Sequence, residues 1–155
     1  MPGIRMTTAW SLVAEIGTNP EQFPQGSNLA SWAGMCPGNN ESAGRRKSGK
    51  TRRGNRWLRR ALNQAAWAAA RTKNTYLAAR FHRLAARRGS KRAMVAIGHK
   101  ILVLAHYMLQ HNTPFRELGA EYYQRLGTPS LSQSLLRRLQ RLGFQVTLTP
   151  TQQVG

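Results

Sequence analysis

The 155-residue chain predicts an all-α fold: a helix-hairpin-helix-like start, a long basic loop, a bundle of three main helices and a weaker C-terminal helix. Three observations carry this expectation. Apolar residues recur at helical spacing in several separate stretches. A hydrophobic content of 41% supplies a core. Glycine and proline punctuation is concentrated in one segment between the helical patterns.

Ala9, Leu12, Val13 and Ile16 fall at i, i+3, i+4 and i+7, the stripe of a short amphipathic helix, with Thr7 or Thr8 to cap it and Gly17 to end it. The Pro2-Gly3-Ile4 run just before it reads as a tight turn, the entry to the second half of a helix-hairpin-helix over residues 1–17. A second short helix runs from Ser27, its expected N-cap, to Ala33, with Leu29 and Trp32 turned inward. From Gly34 to Gly54 the apolar periodicity vanishes, leaving a long loop with a little extended structure at most. Long loops inside compact domains tend to be functional.

Asn55 to Thr72 is rich in Ala, with Leu58, Leu62, Ala65 and Ala69 on one face, so a neighbouring backbone can approach closely. Thr75 to Arg88 places Leu77, Phe81, Leu84 and Ala85 inward behind an Asn74 cap, and Gly89 stops it. Ser90 caps a long helix to about Gln110, with Ala93, Ala96, Ile97, Ile101, Leu104 and Met108 on its buried stripe. A weaker helix spans Ser130 to Leu142, and the last dozen residues are expected to fray. These elements give a domain over 1–111 and a partly helical extension over 112–155.

The charge is lopsided. Lys and Arg number 24 against five Glu and no Asp, a formal net charge of +19. Between Ser42 and Arg116 there is no acidic residue, yet nineteen of the Lys and Arg lie there. Such uncompensated charge implies a polyanionic partner, a nucleic acid, and exceeds what solubility requires. Cys36 is the single cysteine, which excludes an internal disulfide and fits a reducing compartment. The start lacks a secretory pattern, and the apolar run from Ala93 to Leu109 is broken by His99, Lys100 and His106. The expectation is therefore a cytoplasmic protein with no membrane partner.

The basic loop is where chemistry is expected. Ser42, in Gly38-Asn39-Asn40-Glu41-Ser42-Ala43-Gly44-Arg45-Arg46, is the candidate nucleophile: its hydroxyl can attack a phosphodiester and store the bond as a phosphoserine. Arg45 and Arg46 then answer the charge of the transition state. Ser48 shares the loop, and on the residues alone it is as good a candidate as Ser42. Lys47, Lys50, Arg52 and Arg53 extend the cationic surface, and Asn55, Arg56, Arg59 and Arg60 continue it onto the next helix, whose N-terminus favours an anion. On local pattern alone, Asn55 reads first as an ordinary N-cap preceded by a turn glycine. His82, His99, His106 and His111 show no i, i+4 pair, and no Asp is present, so no metal site is expected in this chain. Tyr76, Tyr107, Tyr122 and Tyr123 offer an alternative nucleophile, less favoured because packing explains the helical ones.

The order of Phe23, Leu29-Ala30-Ser31-Trp32-Ala33-Gly34-Met35-Cys36-Pro37 and Glu41-Ser42 is followed by Gly54-Asn55, Leu58-Arg59, Leu62 and Ala65-Ala66, then by Lys91, Ala93, Ala96 and Lys100. Together these resemble the C-terminal transposase domain of the 110 family of bacterial insertion sequences, over about Pro2 to His111. The resemblance implies that Ser42 is the catalytic serine and that a separate RuvC-like half carries an Asp-Glu-Asp-Asp tetrad binding divalent metal, Mg by expectation. It also implies a structured guide RNA that selects DNA. Where that family has Ser-Gly, this chain has Ser42-Ala43, with Gly44 one place later.

The expected function is DNA binding, with guide RNA, by a truncated or C-terminal transposase that presents Ser42 for strand cleavage and rejoining. Without the metal-binding half the chain is expected to bind but not cleave, and to assemble with itself or with that half. The alternatives are a non-enzymatic nucleic-acid-binding relic, a repressor of the full-length element, or an RNA-packaging protein.

Overall fold

The computed structural model describes residues 1–38 and 40–147. Six helices follow in order: α1 Met6–Ile16, α2 Gly26–Trp32, α3 Arg56–Arg71, α4 Tyr76–Arg88, α5 Ser90–His111 and α6 Gly119–Arg141. A 3-10 turn, Pro20–Gln22, joins α1 to α2, and two short strands, β1 Asn40–Ser42 and β2 Arg45–Ser48, interrupt the run between α2 and α3. The fold is all-α, a bundle built around α5.

α5 holds α2, α3 and α4 against it. Leu29, Leu58, Leu62, Leu77, Ile97, Ile101 and Leu102 are the large side chains fully withdrawn from water, one contiguous core. By length and composition α5 is apolar enough to cross a membrane; here it is the central helix of the bundle, with Ala93, Met94, Ile97, Ile101 and Leu102 buried. The stripe expected on α3 is the one observed: Leu58, Leu62, Ala65 and Ala69 are buried. The small residues of that stripe take the N-terminal turn. Ile4 N donates to Met1 O at 3.2 Å, with Pro2 and Gly3 between them and Gly3 at φ 79, the pattern of a type II turn. A Cβ on Gly3 would collide with Ala65 O, so the turn backbone presses directly on the alanine face of α3, as the composition of that face anticipates.

Helix starts depart from the sequence reading. Neither Thr7 nor Thr8 caps α1; Arg5 holds that position without a side-chain bond. Gln25, not Ser27, precedes α2, and Trp32 is 43% exposed, lying against Phe23 at the surface. Thr75 replaces Asn74 as the cap of α4, its Oγ1 accepting from Ala78 N at 3.3 Å and donating to Thr72 O at 3.0 Å, while Asn74 takes φ 57 in the turn. Ser90 is the first helical residue of α5 and not its cap. In each case Arg5, Gln25, Thr75 or Gly89 has the non-helical backbone of a cap position, and the residue expected to cap lies off that position.

The largest difference is at the C-terminal end, where α6 begins at Gly119, well before the expected start at Ser130. Its first half docks on α4. Tyr123 meets Tyr76 edge-on at 5.3 Å, Tyr122 lies 6.3 Å from the same ring, and Arg83 sits over Tyr123 at 5.8 Å. Glu117 Oε1 accepts from Tyr76 N at 2.8 Å and Gly119 N at 3.0 Å, placing a carboxylate at the positive end of α4. Of the C-terminal residues expected to fray, those from 148 onward lie outside the described part of the chain.

Candidate nucleic-acid interface

The segment from Gly34 to Gly54, expected as a loop, forms a hairpin arm. At its base the two limbs touch through glycine. A Cβ on Gly54 would collide with the carbonyl of Ala33, and one on Gly34 would fall 2.8 Å from Arg52 O. Gly38 N donates to Lys50 O at 3.0 Å, and Pro37 bridges Thr51. β1 and β2 then pair antiparallel, Glu41 opposite Arg46 and Ser42 opposite Arg45, with a bulge between Asn40 and Glu41. Ala43 (φ 50) and Gly44 (φ 72) close the tip, the two positive φ angles of a type I′ turn. The backbone of neither strand comes close to that of a helix, so the arm's backbone stands off the bundle.

Ser42 is exposed, the last residue before the turn, and exposed Arg45 is its register partner. Lys50, Arg52, Arg53, Arg56 and Arg60 are also exposed. Arg46 and Lys47 lie on β2, and their side chains lie outside the described part of the structure. Two of the expected binding residues have structural partners instead. Asn55 Oδ1 accepts from Trp57 N at 2.9 Å and Leu58 N at 3.0 Å, and its Nδ2 donates to Glu15 Oε2 at 2.5 Å. It caps α3 and ties it to α1. Arg59 donates to Arg52 O at 3.2 Å and Thr51 Oγ1 at 3.3 Å, bracing the arm's returning limb against α3.

The outward face of α3 carries residues that a reading by charge alone overlooks. Trp57 is 60% exposed and Trp67 49%. A guanidinium lies over each ring, Arg56 at 5.3 Å from Trp57 and Arg71 at 5.6 Å from Trp67. An open groove beside the arm is lined by Arg53, Gly54, Arg56, Arg59, Arg60, Asn63, Gln64 and Trp67. Basic residues interleaved with exposed aromatics suit a strand whose bases stack and whose phosphates need neutralising. The signal in the sequence is that both tryptophans fall off the Leu58–Leu62–Ala65–Ala69 stripe.

Few carboxylates answer this charge. Among the described side chains the one acid–base pair is Arg125–Glu121 at 3.8 Å, exposed on α6. Glu15 and Glu117 are engaged by Asn55 and by backbone N–H groups. On the α4–α5 side His99 is held below its ordinary value by burial first, then by Arg80 and Lys100, as expected where cations gather without counter-charge. His106 is buried and its Nε2 meets Phe23 O at 2.6 Å, a structural tie between α5 and the turn before α2. Among the described residues no group of three or more His, Cys, Asp or Glu side chains is placed to hold a metal ion.

A family model described as Transposase IS116/IS110/IS902 family matches residues 1–83, just over half the chain. The match takes in α1, α2, the whole arm, α3 and part of α4; the run from Lys91 to Lys100 lies beyond it. No curated protein and no solved structure gives a match.

Proposed function

The chain belongs to the IS116/IS110/IS902 family of transposases, and from that membership we propose that it grips DNA with its cationic arm and α3 and presents Ser42 as the nucleophile of strand cleavage and rejoining. The observation that carries the reading is the position of Ser42: an exposed hydroxyl at the tip of a hairpin whose backbone stands clear of the helices, with Arg45 opposite it in register. A protruding tip can enter a groove or reach a backbone that a flat helical surface cannot. In the proposed step the Oγ–P bond forms, the P–O bond to one deoxyribose oxygen breaks, and the serine proton ends on that released hydroxyl. A second sugar hydroxyl reverses the step and rejoins the strand. Exposed guanidinium groups stabilise the negative charge that builds on the phosphoryl oxygens.

The residues of this chain do not fit a divalent-metal site, since it has no Asp and its described Glu are dispersed. No step of the proposed reaction runs through a metal held by this chain. Family membership supports a fuller reading, in which a companion half carries the metal-binding tetrad, guide RNA and a further copy of the chain are partners, and the assembly is cytoplasmic. The dispersed acids also favour a second reading, a DNA-binding relic or repressor without catalysis. Co-expression with an acidic-tetrad half, scored for transposition of a marked donor, separates the two. Under the first reading activity appears and Ser42→Ala abolishes it while DNA affinity is unchanged. Activity that survives Ser42→Ala removes the nucleophile from the proposal, and DNA binding with no activity in any combination favours the relic.

A further inference from the structure

The groove on α3 has chemistry that phosphate neutralisation does not require. Its cations, Arg53, Arg56 and Arg60, would suffice for a duplex backbone. Asn63, Gln64 and Trp67 line the same groove, and all three are exposed. Asn63 and Gln64 side chains have no hydrogen-bond partner among the described residues, so both amides can offer a donor and an acceptor outward.

The indole of Trp67 has no place in the core. The inward face of α3 is packed with Ala65, Ala66, Ala69 and Ala70, each at most 6% exposed, and room there is set by methyl groups. At about 100° per residue, Arg56, Arg60, Asn63, Gln64 and Trp67 fall within roughly 100° of arc on the opposite side. The ring is held in place: Phe81 lies 6.5 Å from it, tilted, and Arg71 sits over it at 5.6 Å. A held, half-exposed indole beside guanidinium groups is a platform for a planar partner with an adjacent negative charge. In a duplex the faces of the bases are covered by their neighbours, and the arrangement has nothing to stack on. An unpaired nucleotide presents a bare face, hydrogen-bonding edges and a phosphate together.

We propose that this groove is a base-binding subsite that takes an unpaired nucleotide, with Trp67 as the stacking platform, Asn63 and Gln64 reading its edge and Arg56 and Arg60 holding its phosphates. The proposal rests on the reading of this face as a nucleic-acid interface and specifies the form of the strand it accepts. It adjoins the base of the arm through Arg53 and Gly54, so one strand following the arm onto α3 can reach it.

Binding of the full chain to three labelled oligonucleotides of one sequence tests it: single-stranded DNA, single-stranded RNA and duplex DNA, followed by fluorescence anisotropy at fixed salt. Trp67→Ala is expected to weaken single-strand binding about tenfold or more, since stacking carries that much per base. Duplex binding should change by less than about twofold, because it depends on phosphate contacts. Trp67→Phe should retain most of the single-strand affinity. The double variant Asn63→Ala/Gln64→Ala, which removes only exposed amides, should also weaken the single strand selectively, independently of any change in indole packing. The DNA and RNA arms identify which strand supplies the nucleotide. Equal losses on single strand and duplex, or no loss on either, overturn the proposal. If the unaltered chain binds none of the three, the interface reading itself fails.

Discussion

Replacing Asn55 by Ala should destabilise the protein by about 2–4 kcal/mol and leave its electrostatic attraction for DNA intact. The sequence places Asn55 in the basic surface; the structure gives both its polar atoms internal partners. Its Oδ1 accepts from Trp57 N at 2.9 Å and Leu58 N at 3.0 Å, and removing an N-cap of this kind costs about 1 kcal/mol. Its Nδ2 donates to the half-buried Glu15 carboxylate at 2.5 Å, and a bond to a charged group is worth about 1.5–3 kcal/mol. For a chain of this size each kcal/mol moves the melting midpoint by about 2–4 °C, so a fall of about 5–15 °C is expected. Asn55→Asp separates the two contributions. It keeps the cap and suits the helix dipole, but it sets a second carboxylate against Glu15, and adding Glu15→Gln should restore most of the loss at pH 7. Urea and thermal melts followed by far-ultraviolet circular dichroism give the stabilities, and a salt titration of DNA binding gives the number of phosphates neutralised. If Asn55→Ala melts within about 2 °C of the unaltered protein, or makes the salt dependence shallower by about one phosphate, the structural assignment is wrong.

Replacing Arg45, Lys50, Arg52 and Arg53 together by Ala should make the slope of log affinity on log salt shallower by about 3–4 for duplex DNA, at about 0.9 for each phosphate; an unchanged slope removes the arm from the interface. Ala43→Gly should relieve about 1 kcal/mol of left-handed strain at φ 50. Since the backbone of both strands stands clear of the helices, the gain should slow amide exchange or proteolysis in the arm and leave the global melt unmoved. His99 sits below its ordinary value of 6.5, so the unfolded chain binds more protons in that range. Its contribution to stability is complete above about pH 6.5 and is lost as pH falls from there through the lower folded value. Urea midpoints measured from pH 7.5 to 5.5 should decline, and His99→Gln should flatten the decline.

The bundle is legible because burial writes itself into spacing. Leu58, Leu62, Ala65 and Ala69 on α3, Leu77 and Phe81 on α4, and Ala93, Ile97 and Ile101 on α5 stand out by periodicity, and all are buried. The arm is not legible for the converse reason. The backbone of Asn40-Glu41-Ser42 and Arg45-Arg46-Lys47-Ser48 packs against no helix, and no alternation of apolar and polar residues marks them as strands. What sets the pairing is the turn at Ala43-Gly44 and the close approach of Gly34 to Gly54, and an Ala-Gly turn is a weaker signal than Asn-Gly. Gly127 and Pro129 hide the first half of α6, since both read as breaks. Capping is hard to read because Arg5, Gln25 and Gly89 hold the cap positions of α1, α2 and α5 without a side-chain capping bond, so backbone conformation and not the nearest hydroxyl sets the start. On α3 the tryptophans are visible as letters, but a tally of positive charge passes over them.

The division between arm and bundle bears on how the proposed site is held. A hairpin whose backbone stands clear of the helices takes its direction from its base, and there the described contacts converge on the start of α3. Gly54 packs against Ala33 at the end of α2, Arg59 takes the carbonyl of Arg52 and the hydroxyl of Thr51, and Asn55 joins the same turn to Glu15 of α1. The first turn of α3 is therefore the joint through which the core aims the arm. The groove with Trp67 belongs to the same helix, so the tip bearing Ser42 and the surface proposed to hold a base share one rigid reference. Arg59 thus acts on the site by orientation, and its charge is partly spent on a backbone carbonyl. Substituting it should misdirect the arm and lower activity with the companion half more than it lowers DNA affinity. Substituting exposed Arg45 or Arg53, whose charge is open to solvent, should instead lower affinity in step with the phosphates left unneutralised.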